Sequence, residues 1–169
     1  MARSARSDDD APLDATEGAA EGPTLVGLLA EHSIVLDAHA SSRDDAIRQV
    51  GAILIEAGAI EPEYVDSMIA RENSVSTYVG ESVAVPHGLL SGRDAVRRDA
   101  IAVVRFPDGV DWNGNDVRVA VGIAAHANGH ISLLLELATV LLDPTKAAAL
   151  RAATRAEQVY DVLAPSPAD

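Results

Sequence analysis

The chain has 169 residues, 48% hydrophobic but only 3% aromatic, with a formal net charge of −13. That length suits one domain with an aliphatic, alanine-rich core, and 26 acidic against 13 basic residues argue against a protein that tracks nucleic-acid phosphates. The absence of cysteine excludes disulfides, thiolate metal sites and cysteine nucleophiles, and no stretch approaches the ~20 apolar residues of a membrane helix.

Residues 1–23 read as a disordered acidic tail. Asp8, Asp9, Asp10, Asp14, Glu17 and Glu21 lie among Ala, Gly, Ser and Pro, with too little apolar surface to offset the entropy of ordering. The two arginines near the start precede no apolar segment, so no secretory signal is read and a cytoplasmic protein is expected. The folded domain is expected over 24–164, with 165–169 as a C-terminal tail.

Residues 24–31 read as a short helix or turn, and 33–37 as a buried strand. A helix follows: Ser42 and Asp45 resemble a capping box, Ala46, Ile47, Val50, Ile53, Leu54 and Ala57 recur at helical spacing, and Gly58 suits the position just past its end. A second helix opens at Glu61–Pro62, with proline at its first position and Val65, Met68 and Ile69 as its apolar stripe. On this helix Glu72 falls on the stripe and Arg71 at its edge. Segment 82–86 is short, β-prone and ends at a proline. The strongest strands are 99–106 and 117–125; Asn113-Gly114 between them signals a tight turn and hence antiparallel pairing. Residues 129–143 read as a helix apolar nearly all round, and therefore buried. Asp143-Pro144 starts a short helix, and Thr154 with Glu157 makes a capping box for the last one, which stops at Pro165. The expected fold is α/β, a single domain with a small mixed sheet, parallel and antiparallel, sandwiched by helices.

Chemistry falls to the five histidines and their neighbours. His32 and His39 read as surface residues. His126 and His130 are four apart, but Asn128 and Gly129 between them suit a helix start, which separates the rings and disfavours a metal site. His130 at that start suits an anionic partner. His87 stands in V-A-V-P-H-G, after a strand and a proline that stops the sheet and before a glycine that allows close approach. Such a histidine is held at a strand end with one face open. On spacing alone it is either a loop residue or a functional one. No Walker loop, dinucleotide fingerprint or nucleophile elbow is present. Trp112 in D-W-N-G reads as a hairpin residue on the sheet edge.

E-P-E-Y-V (61–65), M-I-A-R-E (68–72) and S-T-Y-V-G-E-S-V-A-V-P-H-G (76–88), followed in order by F-P-D-G-V (106–110), V-G-I-A-A (121–125) and N-G-H-I (128–131), closely resemble the EIIA proteins of the bacterial sugar phosphotransferase system, mannitol/fructose class. The resemblance covers residues 24–164. It implies a phosphocarrier: His87 accepts a phosphoryl group on Nε2 from phosphohistidine HPr and passes it to a cysteine of a separate EIIB belonging to a membrane EIIBC permease. By motif, His130 is the second active-site histidine and Arg71 the arginine near the site, both stabilising the phosphoryl group. The resemblance implies no cofactor or metal, and gives His126 no role. A cysteine-free chain implies an EIIA with no fused EIIB. Two other readings are a nitrogen-regulatory EIIA, which shares P-H-G and signals by phosphorylation-dependent docking, and a metal-dependent enzyme using His126 and His130.

Overall fold

The computed structural model describes residues 24–126 and 129–164, with 129 and 130 described by backbone only. The expectations for the tails at 1–23 and 165–169 fall outside these residues. In chain order the elements are β1 (Leu29–Val35), α1 (Arg43–Glu56), α2 (Glu63–Ser74), β2 (Tyr78–Gly80), β3 (Val83–Ala84), β4 (Ala100–Trp112), β5 (Asn115–Ala124), α3 (Gly129–Leu141), α4 (Pro144–Ala152) and α5 (Ala156–Leu163). The strands form one sheet in the order β1-β4-β5-β3-β2, parallel at β1–β4 and β3–β5 and antiparallel at β4–β5 and β2–β3. This is the mixed sheet the sequence predicts.

Side-chain alternation along β4 and β5 gives the sheet two unlike faces. Ile101, Val103, Val119, Val121 and Ile123 point to one side and pack on Leu133 and Leu137 of α3, Leu150 of α4 and Val159 of α5. Ala100, Ala102, Ala120 and Ala124 point to the other, under Ile47, Val50 and Leu54 of α1 and Met68 of α2. Small residues on this second face let α1 lie close. At Gly122 a Cβ would stand 2.2 Å from Val50 Cγ1, so no side chain fits there. Helices on both faces complete the expected sandwich.

Several local signals act as read. Ser42 accepts from Asp45 N, and Gly58 follows α1 with φ +77°. The return half of the box is displaced by one residue: the Asp45 carboxylate accepts from Ser41 N (2.9 Å) rather than from Ser42 N, and that backbone N–H holds it below the ordinary carboxylate range. Asn113 and Gly114 both take positive φ in the β4–β5 turn, the backbone that a tight two-residue hairpin demands. Asp143 caps α4 by accepting from Thr145 N.

Others are corrected. The first strand begins at Leu29 rather than residue 33, because Leu29 pairs with Ile101 and is buried in the core. Pro62 is the N-cap of α2, not its first helical residue. The Pro107-Asp108-Gly109 segment does not end β4; it forms an irregularity between Arg105 and Val110, after which pairing resumes to Trp112. The box at α5 shifts by one residue: Gln158, not Glu157, accepts from the backbone of Thr154 and Arg155. The helix expected to be buried all round is not. Leu133, Leu137 and Val140 of α3 face the core, while Leu135 is 66% exposed and Leu142, just past its end, 82%. Only one side of α3 meets the sheet and its flanking helices; the apolar pattern extends beyond what they cover.

Candidate functional site

The strand pairing of β3 places His87. Val83 and Ala84 lie parallel to Val119 and Ala120, and the register continues past the strand proper: Ile123 N donates to Pro86 O (3.0 Å), and His87 bridges to Ile123. On its other side, Val85 N donates to Thr77 O (2.9 Å). The backbone leading to the histidine is thus held from both neighbours.

The next two residues are gripped by α2. Tyr64 and Ser67 lie one turn apart on one helix face. The Tyr64 hydroxyl accepts from Gly88 N (2.8 Å) and donates to Ile123 O (3.2 Å). Ser67 Oγ accepts from Leu89 N (2.7 Å). Gly88 is required by space: a Cβ there would meet the Tyr64 ring at 2.5 Å. Burial raises the Tyr64 pKa above its ordinary value, with the Gly88 N–H opposing weakly, so the phenol stays protonated and serves both bonds. Neither Tyr64 nor Ser67 is singled out by the sequence reading, although both share a helix face with Arg71.

The imidazole itself is oriented by its own strand. His87 Nδ1 lies 2.8 Å from Val85 O. A carbonyl oxygen only accepts, so Nδ1 carries the proton and the in-plane lone pair belongs to Nε2. The residue is 6% exposed, less open than its strand-end position predicts; β5 and α2 enclose the segment from two directions.

Arg71 lies in the last turn of α2, half-buried, and its Nη1 donates to Val75 O. Val75 leads into Thr77, whose carbonyl holds Val85, so Arg71 is anchored to the stretch flanking the histidine strand. Glu72 is 2% exposed and collects four hydrogen bonds: from Trp112 Nε1 (2.9 Å), Thr77 N (3.0 Å), Ser76 Oγ (2.7 Å) and Thr77 Oγ1. Trp112 is therefore a buried partner of Glu72, not an edge residue. His130 belongs to the first turn of α3; where its ring sits lies outside the described residues.

His32 and His39 are exposed, as expected. His126 has both ring nitrogens engaged, Nδ1 at 3.1 Å from Asp99 Oδ1 and Nε2 at 2.8 Å from Val96 O, which leaves little for a metal. Among the described residues no three His, Cys, Asp or Glu side chains cluster as metal ligands. No helix among them is long and apolar enough to cross a membrane.

Beside the histidine strand runs an apolar groove of about 130 Å³, lined by Val79, Val85, Leu134, Ala138, Leu141 and Leu142 among others. Val85 is common to the groove and to the bond that orients the imidazole.

A five-stranded mixed sheet between two helical layers is also the architecture of phosphotransferase IIA proteins. Enzyme IIA Mtl of Escherichia coli, solved in complex with phosphorylated enzyme IIB Mtl, matches with a TM-score of 0.75 and 34% identity, over 81% of this chain and 99% of that one. The family model described as "Phosphoenolpyruvate-dependent sugar phosphotransferase system, EIIA 2" matches residues 27–165, and the chain belongs to this family. It is 36% identical over 136 residues to the mannitol-specific phosphotransferase enzyme IIA component of Halalkalibacterium halodurans, covering 80% of this chain and 94% of that protein. It is 42% identical over 125 residues to the multiphosphoryl transfer protein of Escherichia coli O157:H7, covering 73% of this chain. The chain spans about a third of the length of that protein.

Proposed function

We propose that the chain is a phosphocarrier of the sugar phosphotransferase system, taking a phosphoryl group from phospho-HPr on His87 and passing it to a cysteine of an EIIB for mannitol- or fructose-type sugar uptake. The observation that carries this reading is the 2.8 Å approach of His87 Nδ1 to Val85 O. It leaves the nucleophilic lone pair on Nε2 and presets the ring for in-line attack.

In the forward step the Nε2 lone pair forms a bond to phosphorus while the N–P bond of phospho-HPr breaks and its electron pair returns to the HPr imidazole. The Nδ1 proton stays in place, and Val85 O stabilises the positive charge that the ring acquires. In the second step an EIIB thiolate attacks phosphorus and the Nε2–P bond breaks. The transferring group spreads its charge over three equatorial oxygens, which need donors. Arg71, with Nε–H and Nη2–H beyond its bond to Val75 O, and His130 are assigned to them. The low exposure of His87 limits hydrolysis of the phosphohistidine between partners. The apolar groove, ending at Val85, supplies the docking surface, and a single small surface serves two transient partners in turn. The IIA–IIB complex of the Escherichia coli relative supports EIIB as acceptor.

Reconstitution from labelled phosphoenolpyruvate with enzyme I and HPr tests the reading. Label is expected on this chain, acid-labile and alkali-stable, and is expected to move to a cognate EIIB. His87→Ala is expected to take none, and full labelling of that variant would sink the assignment. His130→Ala and Arg71→Gln are expected to fold and transfer more slowly. Labelling that never moves to any EIIB would favour the regulatory reading.

A further inference from the structure

Ser82 precedes β3 at the end opposite His87, and there three arginines from three elements converge. Arg105 of β4, Arg118 of β5 and Arg151 of α4 line one hollow of about 320 Å³ with Ser82, Pro107 and Asp116. Each guanidinium is held by part of its donor set. Arg105 donates from Nε to Arg151 O (2.7 Å) and from Nη1 to Leu36 O (3.0 Å). Arg118 donates from Nε to Asp116 Oδ2 (2.7 Å) and from Nη1 to Pro107 O (2.6 Å). Arg151 donates from Nη1 to Glu81 O (2.8 Å) and Glu81 Oε1 (3.3 Å). These bonds tie strands, turn and helix together, and they leave the Nη2 of all three without an acceptor among the described residues.

The charge around the hollow is equally incomplete. Two carboxylates, Asp116 and Glu81, face three guanidiniums, and Arg105 meets only carbonyl oxygens. In a chain with twice as many acids as bases, this concentration of arginine is out of keeping with the rest of the surface. Held guanidiniums that line one hollow, each keeping an Nη2 able to donate, are the chemistry of oxyanion recognition. A phosphate monoester offers three terminal oxygens and nearly two negative charges, which suits three donors better than the two oxygens of a carboxylate. The hollow exceeds a bare phosphate in size, and Asp116 on its wall provides an acceptor for hydroxyl groups.

We propose that this hollow binds a small phosphate monoester, of the phosphorylated polyol or sugar class, at a site separate from His87. The proposal does not rest on the phosphocarrier reading. The test uses the full-length, unphosphorylated chain labelled with nitrogen-15, with mannitol 1-phosphate, inorganic phosphate and unphosphorylated mannitol as probes at constant ionic strength. The arginine Nε–Hε signals are followed by NMR, and calorimetry gives the affinity. Mannitol 1-phosphate is expected to shift the signals of Arg105, Arg118 and Arg151 saturably, and mannitol to shift none. Arg118→Gln, on a half-exposed side chain, is expected to weaken binding about tenfold while the amide spectrum away from the hollow stays that of the parent. Arg105→Lys keeps the charge but loses the fork, and is expected to weaken it comparably. Absence of a saturable shift, undiminished affinity in Arg118→Gln, or inorganic phosphate binding as tightly as the ester each overturns the proposal.

Discussion

The two flanks of the histidine strand differ in kind. On the α2 side the segment is held by directional polar bonds: Tyr64 and Ser67 hold the backbone of Gly88 and Leu89, and Glu72 ties Thr77 to Trp112. On the α3 side the surface is apolar, and Leu135 and Leu142 reach solvent. The first flank fixes the imidazole and the second offers an adaptable face. A directional hydrogen bond holds one geometry, whereas apolar packing accepts more than one partner shape.

Breaking the holding flank has the largest expected effect. Glu72→Ala strands the Trp112 indole N–H and the Thr77 N–H in the core and costs on the order of 3 kcal/mol. Chemical denaturation followed by fluorescence of Trp112, the single tryptophan, measures it. Gly88→Ala forces a methyl group onto the Tyr64 ring, with a stability cost of about 1–3 kcal/mol. Labelling kinetics are expected to slow by up to about 100-fold as the imidazole shifts. Tyr64→Phe removes both bonds of the hydroxyl and costs about 1–2 kcal/mol.

Tyr64→Phe also changes the response to alkali. The folded pKa of Tyr64 is raised by burial, so its contribution is complete below the unfolded value of ~10 and falls as pH rises beyond it. Tyr160, raised by burial and by Glu31, acts with the same sign. Melting curves above pH ~10 are therefore expected to fall less steeply in Tyr64→Phe than in the parent, without becoming flat. The adaptable flank gives the smallest effect on stability. Leu142→Glu is expected to change it by less than about 0.5 kcal/mol, yet to slow the proposed transfer to or from a protein partner about tenfold by charging the face proposed for docking. Unaltered transfer would assign the whole interface to the holding flank.

Short-range grammar made much of this legible. Ser42 and Gly58 bound α1, Asn113-Gly114 sets the hairpin, and V-A-V-P-H-G marks a strand end carrying a histidine. Partnerships across long stretches of chain were not legible. Tyr64 meets Ile123, Glu72 meets Trp112, and Arg105 meets both Leu36 and Arg151, and no local pattern encodes these pairs. Periodicity places Leu135 among apolar neighbours but does not say how many sides of α3 the fold covers. The β4 irregularity reads as a loop because proline and glycine there look the same whether a strand ends or merely buckles.

The strand that leads to the histidine has two residues, and its pairing is with chain far removed in sequence: Val83 with Val119, and Ala84 with Ala120. The β4–β5 hairpin closes across a two-residue turn, so its loop-closure entropy is small and its formation can precede the docking of β3. The Nδ1 contact to Val85 O spans only two residues, but the backbone that carries both groups is held only once this non-local pairing is made, so the aim of the imidazole depends on chain far from it in sequence.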